Sequence, residues 1–132
     1  MTAYVAPRVV DEKPETVIIQ GGGNDLPVNS GEKSVPLLTI ANHIIDAGLM
    51  CRRNGALNVF IGGVTTRKGN YLKKRCEALN IEIQDLCKKH RFVFIDNTEI
   101  KDEHLYDGVH LNDDGTKILA DNYLNALKKV TH

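Results

Sequence analysis

Asn58-Val59-Phe60-Ile61-Gly62-Gly63-Val64 is short, apolar on both faces and closed by small residues, the pattern of a parallel strand buried between two layers. The next two segments decide the fold. Residues 70–90 carry Leu72, Cys76, Leu79, Ile83 and Leu86 at alternating steps of four and three, one apolar stripe along a helix. Arg91-Phe92-Val93-Phe94-Ile95-Asp96 then reads as another buried strand. Strand, long helix and strand in succession make a βαβ unit, which demands a parallel sheet with helical cover. Strand twist makes such crossovers right-handed.

The same alternation continues outward. On the N-terminal side, Thr16-Val17-Ile18-Ile19-Gln20 predicts a buried strand closed by Gly21-Gly22-Gly23. A short helix is expected over 4–12, ended by Pro14, which biases Lys13 to an extended shape. Residues 27–34 are loop material. Residues 35–54 place Leu37, Ile40, Ala41, Ile44, Ile45, Ala47 and Cys51 at helical spacing, with Gly55 as C-cap. On the C-terminal side, Asp113 or Asp114 caps a final helix. Ile118, Leu119, Tyr123, Leu127 and Val130 point inward, and Lys128 and Lys129 sit near the negative end of its dipole. In parallel α/β sheets chemistry gathers at the carboxyl ends of the strands. Residues 21–26, 62–67 and 96–114 are therefore the places to search.

Composition bounds the rest. The chain has 132 residues, 42% of them apolar, the size of one domain spanning 1–132. A chain this long buries roughly two-thirds of its unfolded surface, so its core needs neither disulfide nor metal. Aromatics are 5% and Trp is absent, so that core is aliphatic. Charged residues at 26% argue against disorder. No apolar run approaches the roughly 20 residues of a membrane helix, and residues 1–11 show no secretion signal. Seventeen basic and seventeen acidic residues give zero formal net charge, which weakens any case for nucleic-acid binding. Lys68, Lys73, Lys74, Arg75, Lys88, Lys89 and Arg91 read as a solvated helix face. Three cysteines without a CxxC motif fit free thiols in a reducing compartment, hence a cytoplasmic protein. Cys76 and Cys87 on one helix would lie about 16 Å apart, too far to bridge.

Two segments could carry chemistry. After the first strand comes Gly22-Gly23-Asn24-Asp25. Small residues let the backbone turn and a ligand approach, and the Asn24 amide could donate to a developing oxyanion, with Asp25 bracing the loop. The alternative is a purely structural turn. A phosphate cradle lacks both of its usual glycine signatures. After the third strand comes Asp107-Gly108-Val109-His110-Leu111-Asn112-Asp113-Asp114-Gly115. A carboxylate three residues before an imidazole in a turn can reach it, set its tautomer and raise its basicity. The alternative is a helix-entry turn with a surface histidine. A metal held by Asp25, Asp107 and His110 lacks ligand spacing, so no metal and no cofactor are expected. His43, His90, His104 and His132 have no comparable setting and read as solvated. Arg67 could meet an anionic substrate, though a surface arginine is the plainer reading.

Together, GGND after a buried strand and DGVHLNDDG before the last helix resemble the third and last blocks, Gly-x-Asn-Asp and Asp-x-x-His, of the SGNH (GDSL-type) hydrolases. Lys13-Pro14-Glu15-Thr16-Val17-Ile18-Ile19 ahead of the first block and His110-Leu111-Asn112 with Gly115 in the second fit the same pattern. The resemblance spans about residues 4–130. It implies a flavodoxin-like three-layer αβα sandwich that hydrolyses acyl esters through an acyl-enzyme. By motif match His110 is the general base, Asp107 orients it, Asn24 donates to the oxyanion, and Gly22, Gly23 and Asp25 shape the oxyanion loop.

The departure is as informative. The family's nucleophile is the Ser of a Gly-Asp-Ser segment, and a second-block Gly adds an oxyanion donor; this chain has neither. Its two serines are Ser30 and Ser34. The resemblance thus implies a domain truncated to about three parallel strands, the first βαβ unit missing, and inactive or very weak alone. Ser30, just past the oxyanion motif, is the candidate substitute nucleophile; another chain is the alternative source. A non-enzymatic binding or assembly module on the same fold is the third reading. The family's strand order leaves the uncharged strand of Val17, Ile18, Ile19 and Gln20 as an edge that invites pairing. A homodimer or a complementing chain is expected there, with a small acyl ester as substrate and neither nucleic acid nor membrane as partner.

Overall fold

The computed structural model describes residues 16–21 and 36–129. Three parallel strands, β1 (Thr16–Ile19), β2 (Asn58–Gly62) and β3 (Val93–Ile95), lie in the order β1-β2-β3. Helix α1 (Leu37–Arg53) joins the first two and α2 (Asn70–His90) the last two; α3 (Asp113–Lys128) comes after β3. The register pairs Val17 with Val59, Ile19 with Ile61 and Ile61 with Phe94. These side chains share one face, and α1 and α2 cover it with Ile40, Ile44, Ile45, Leu79 and Ile83, all essentially fully buried. Each such aliphatic side chain contributes about 1.5–3 kcal/mol by leaving water. The core is mainly aliphatic, as the composition suggested, with Phe60 and Phe92 also buried. Among the described residues β1 is paired on one side only.

The strands are shorter than their apolar runs, for identifiable reasons. Val64 lies beyond β2 because the Asn80 side chain takes its backbone: Val64 N–H donates to Asn80 Oδ1 at 2.7 Å, and Asn80 Nδ2 donates to Val64 O at 3.0 Å. Arg91 is no strand residue. It closes α2 in the left-handed conformation (φ 60°), and Phe92 N–H returns to Cys87 O. Arg52 ties this end to α1, donating to His90 O at 2.7 Å with its guanidinium 4.3 Å from the Phe92 ring centroid. The stripe of α2 closes on Cys87 rather than Leu86, which is only partly buried. Burial pushes the Cys87 thiol up to about 12 and raises those of Cys51 and Cys76.

Two helix caps differ from expectation. Asn54 is the C-cap of α1, and Gly55 takes the left-handed position after it. Asn112, not Asp113 or Asp114, caps α3: its Oδ1 accepts Gly115 N–H at 2.9 Å. The two aspartates occupy the first turn, where the helix dipole favours negative charge. Helix α3 packs over β3 on the face opposite α1 and α2. Its Ile118, Leu119, Tyr123 and Leu127 are half-buried, and Gly115 is its one buried residue. The expected helix over 4–12 and the loop 27–34 lie outside the described residues, as does Val130.

Candidate active site

Both the end of β2 and the segment after β3 open at the carboxyl edge of the sheet. Gly63 N–H donates to Ile95 O at 2.8 Å, and Gly63 O accepts from Asn97 Nδ2 at 2.8 Å and Gln20 Nε2 at 3.1 Å. Asn97, 4% exposed, also accepts from Asn122 Nδ2 at 3.0 Å. Tyr123 O–H donates to Gln20 Oε1, and burial pushes its phenol up to about 12. Gln20, Asn97, Asn122 and Tyr123 thus knit α3 to the strand ends. None of the four stands out in the sequence; a polar residue directly after the third apolar run is the available signal.

From this edge the chain makes a short 3-10 turn, Asp102–His104, and an antiparallel bridge pairs Leu105 with Leu111. Residues 106–110 form the closed end of that small loop, with Tyr106 N–H donating to His110 O at 3.0 Å. Asn112 N–H donates to His104 O at 2.7 Å and Asn112 Nδ2 to Glu103 O at 2.8 Å, so the α3 cap also anchors the loop's base. Gly115 lies directly under it. A Cβ there would fall 2.7 Å from His104 O, an approach only glycine allows.

Asp107 uses its two oxygens differently. Oδ1 accepts Val109 N–H at 2.9 Å and His110 N–H at 2.6 Å, which closes the turn. Oδ2 lies 2.5 Å from His110 Nδ1. The carboxyl is held down at about 2, first by the His110 amide and next by the imidazole, both of which favour the charged form. An ionised carboxylate at Nδ1 places the proton there and leaves Nε2 bare for proton abstraction. The Tyr106 ring stacks on the imidazole, centroids 5.7 Å apart at 25°, and the His110 side chain is 65% exposed. Asp107 and His110 are thus brought together. Asn24, Gly22, Gly23, Asp25 and Ser30 lie outside the described residues.

The other histidines divide. His43 is exposed, and His132 lies outside the described residues. His104 is not simply solvated: its Nδ1 accepts Lys101 N–H at 2.8 Å. His90 stacks on Phe92, centroids 6.0 Å apart. Among the described residues no three His, Cys, Asp or Glu side chains converge as metal ligands, and no helix is long and apolar enough to cross a membrane. A cavity of about 440 Å³ opens beside the β2–α2 loop, lined by Val64, Thr66, Lys73, Cys76, Asn97 and Lys101 among others. Neither Asp107 nor His110 lines it.

The described residues thus form a three-stranded parallel sheet with two helices on one face, a third on the other, and an Asp–His turn before the last helix. No protein-family model and no curated protein matches the sequence. Solved structures do. A GDSL-like lipase from Bacteroides thetaiotaomicron superposes with a TM-score of 0.75 at 19% identity, over 92% of this chain and 65% of that one. A lipase/acylhydrolase from Enterococcus faecalis gives 0.72 at 21% identity, over 93% and 66%. An acetylxylan esterase from Geobacillus stearothermophilus gives 0.71 at 20% identity, over 90% and 62%. The chain therefore spans a little under two thirds of the length of these structures.

Proposed function

We propose that this chain carries the general-base part of an SGNH-type ester hydrolase, with His110 as base, Asp107 as its orienting carboxylate and Asn24 as oxyanion donor. One observation supports the reading above others: Asp107 Oδ2 at 2.5 Å from His110 Nδ1. A positioned base contributes typically 10²–10⁴-fold to acyl transfer, provided it has a hydroxyl to activate. The sequence contains no Gly-Asp-Ser segment. The chain by itself is therefore inactive or very weak as an esterase; the alternative is that Ser30, or a second copy or separate segment pairing with the β1 edge that is unpaired among the described residues, supplies the attacking hydroxyl. Sedimentation tests the pairing; a stable 14.7 kDa monomer would contradict it.

Turnover of p-nitrophenyl acetate tests the chemistry. The isolated chain and its His110→Ala variant should hydrolyse the ester equally slowly. Fusion of the part of the Enterococcus faecalis acylhydrolase that this chain does not cover, placed upstream of Met1, should create turnover that His110→Ala abolishes. A cooperatively folded fusion with no His110-dependent turnover would overturn the reading. Strong activity of the isolated chain that Ser30→Ala removes would instead assign the nucleophile to Ser30.

A further inference from the structure

The turn bearing Asp107 and His110 is held from two sides. From within, Asp107 Oδ1 takes the amides of Val109 and His110. From outside, the β2–α2 loop takes two of its carbonyls: Arg67 Nη1 donates to Val109 O at 2.6 Å, and Lys68 N–H donates to Gly108 O at 2.9 Å. Gly108 has φ +84°, a conformation that residues with a side chain rarely adopt, and a Cβ there would sit 3.3 Å from Lys68 Cβ, so the seam is tight. Two of the three peptide carbonyls between the carboxylate and the imidazole are thereby fixed by a loop some 40 residues earlier in the chain. The Arg67 bond is the charge-assisted member of the pair and the stronger one. The sequence alone offers Arg67 as a surface side chain or an anion contact; the structure gives it a backbone partner.

We propose that Arg67 is a positioning residue for His110. By holding the Val109 carbonyl it fixes the peptide that precedes His110, and with it the direction in which the imidazole leaves the backbone toward Asp107 Oδ2. Arg67 acts through that peptide and needs no contact with substrate. The importance of the clamp rests on His110 being the base, but its geometry is measurable without any turnover. The same loop also places Thr66 in the wall of the neighbouring cavity, so one short segment holds the turn and shapes the adjoining space.

The test is ¹⁵N NMR of the His110 ring together with amide hydrogen exchange, in the parent chain, Arg67→Gln and Arg67→Lys. At pH 9, where an ordinary imidazole is neutral, the parent should show widely separated ring nitrogens, Nδ1 protonated and Nε2 bare. In Arg67→Gln the two resonances should move toward each other, and the Val109 and His110 amides should exchange about tenfold faster. Amides of Leu79 and Ile83 in the core should not change. Arg67→Lys should recover part of the effect, because it keeps the charge and stem but not the planar fork; it also serves if Arg67→Gln does not fold. Unchanged ring nitrogens and unchanged protection at Val109 and His110 in a folded variant would overturn the proposal. Should the acylhydrolase fusion lack His110-dependent turnover while Arg67→Gln still releases the ring, the esterase reading fails and the clamp stands.

Discussion

Gly115→Ala sets two effects of opposite sign against each other. Position 115 is the third residue of α3, and on helix propensity alone alanine there gains about 1 kcal/mol over glycine. The tertiary structure reverses this. The new Cβ would lie 2.7 Å from His104 O, 3.0 Å from His104 Cβ and 3.3 Å from Leu111 Cβ. Its nearest neighbour is a backbone oxygen, so the strain is not relieved by a side-chain rotation. Overpacking of this kind costs about 1–3 kcal/mol, leaving a net loss of roughly 0–2 kcal/mol after the propensity gain. The displacement also has a direction: it pushes α3 away from the His104–Leu111 seam on which the Asp107–His110 turn is built. Urea unfolding should therefore show a lower midpoint, and the Asn112 amide, bonded to His104 O, should lose protection from exchange. A variant stabilised by about 1 kcal/mol with Asn112 protection intact, as propensity alone would give, would refute this reasoning.

Other outcomes rest on the same geometry. Asp107→Asn should keep the turn, since the amide oxygen can still accept the Val109 and His110 N–H groups, but it should move the ring proton to Nε2, because the new NH₂ donates to Nδ1. Asp107→Ala should lose both the turn and the tautomer, and ¹⁵N NMR with amide exchange separates the two cases. Since the Asp107 carboxyl sits at about 2 in the folded chain against an ordinary 3.8, its contribution to stability is complete above about pH 4 and fades as pH falls toward 2. The His110 amide resonance should titrate with a midpoint near 2; a midpoint near 4 would contradict the turn's hydrogen bonding. The three cysteines are buried, so Ellman's reagent should label none in the native chain at pH 8 within minutes and all three in urea. Rapid native labelling would contradict the packing of α1 and α2.

Much of this was legible in the residue pattern. The four-three spacing from Leu72 to Leu86 placed a helix at the bounds the structure shows, because burying one stripe is a local, periodic demand. The pairing of Asp107 with His110 was legible too, since three residues in a turn bring a carboxylate within reach of an imidazole whatever surrounds them. Strand ends were less legible. Val64 left the ladder because Asn80, sixteen residues on, captured its backbone, and Arg91 left it because α2 needed a left-handed close. Neither competitor shows in an apolar run. The cap of α3 went to Asn112 rather than its aspartate neighbours because Asn112 also had Glu103 and His104 to hold.

The chain's own pattern thus determined the class of fold, the mainly aliphatic core and the proximity of carboxylate to imidazole. These depend on spacing along one strand, helix or turn, and local geometry sets that spacing. Only the tertiary structure decided what holds the pair in place. Arg67 meets Val109 across 42 residues, and Gly115 passes beneath His104. Such contacts exist only once right-handed crossovers have brought the ends of neighbouring strands to a common edge.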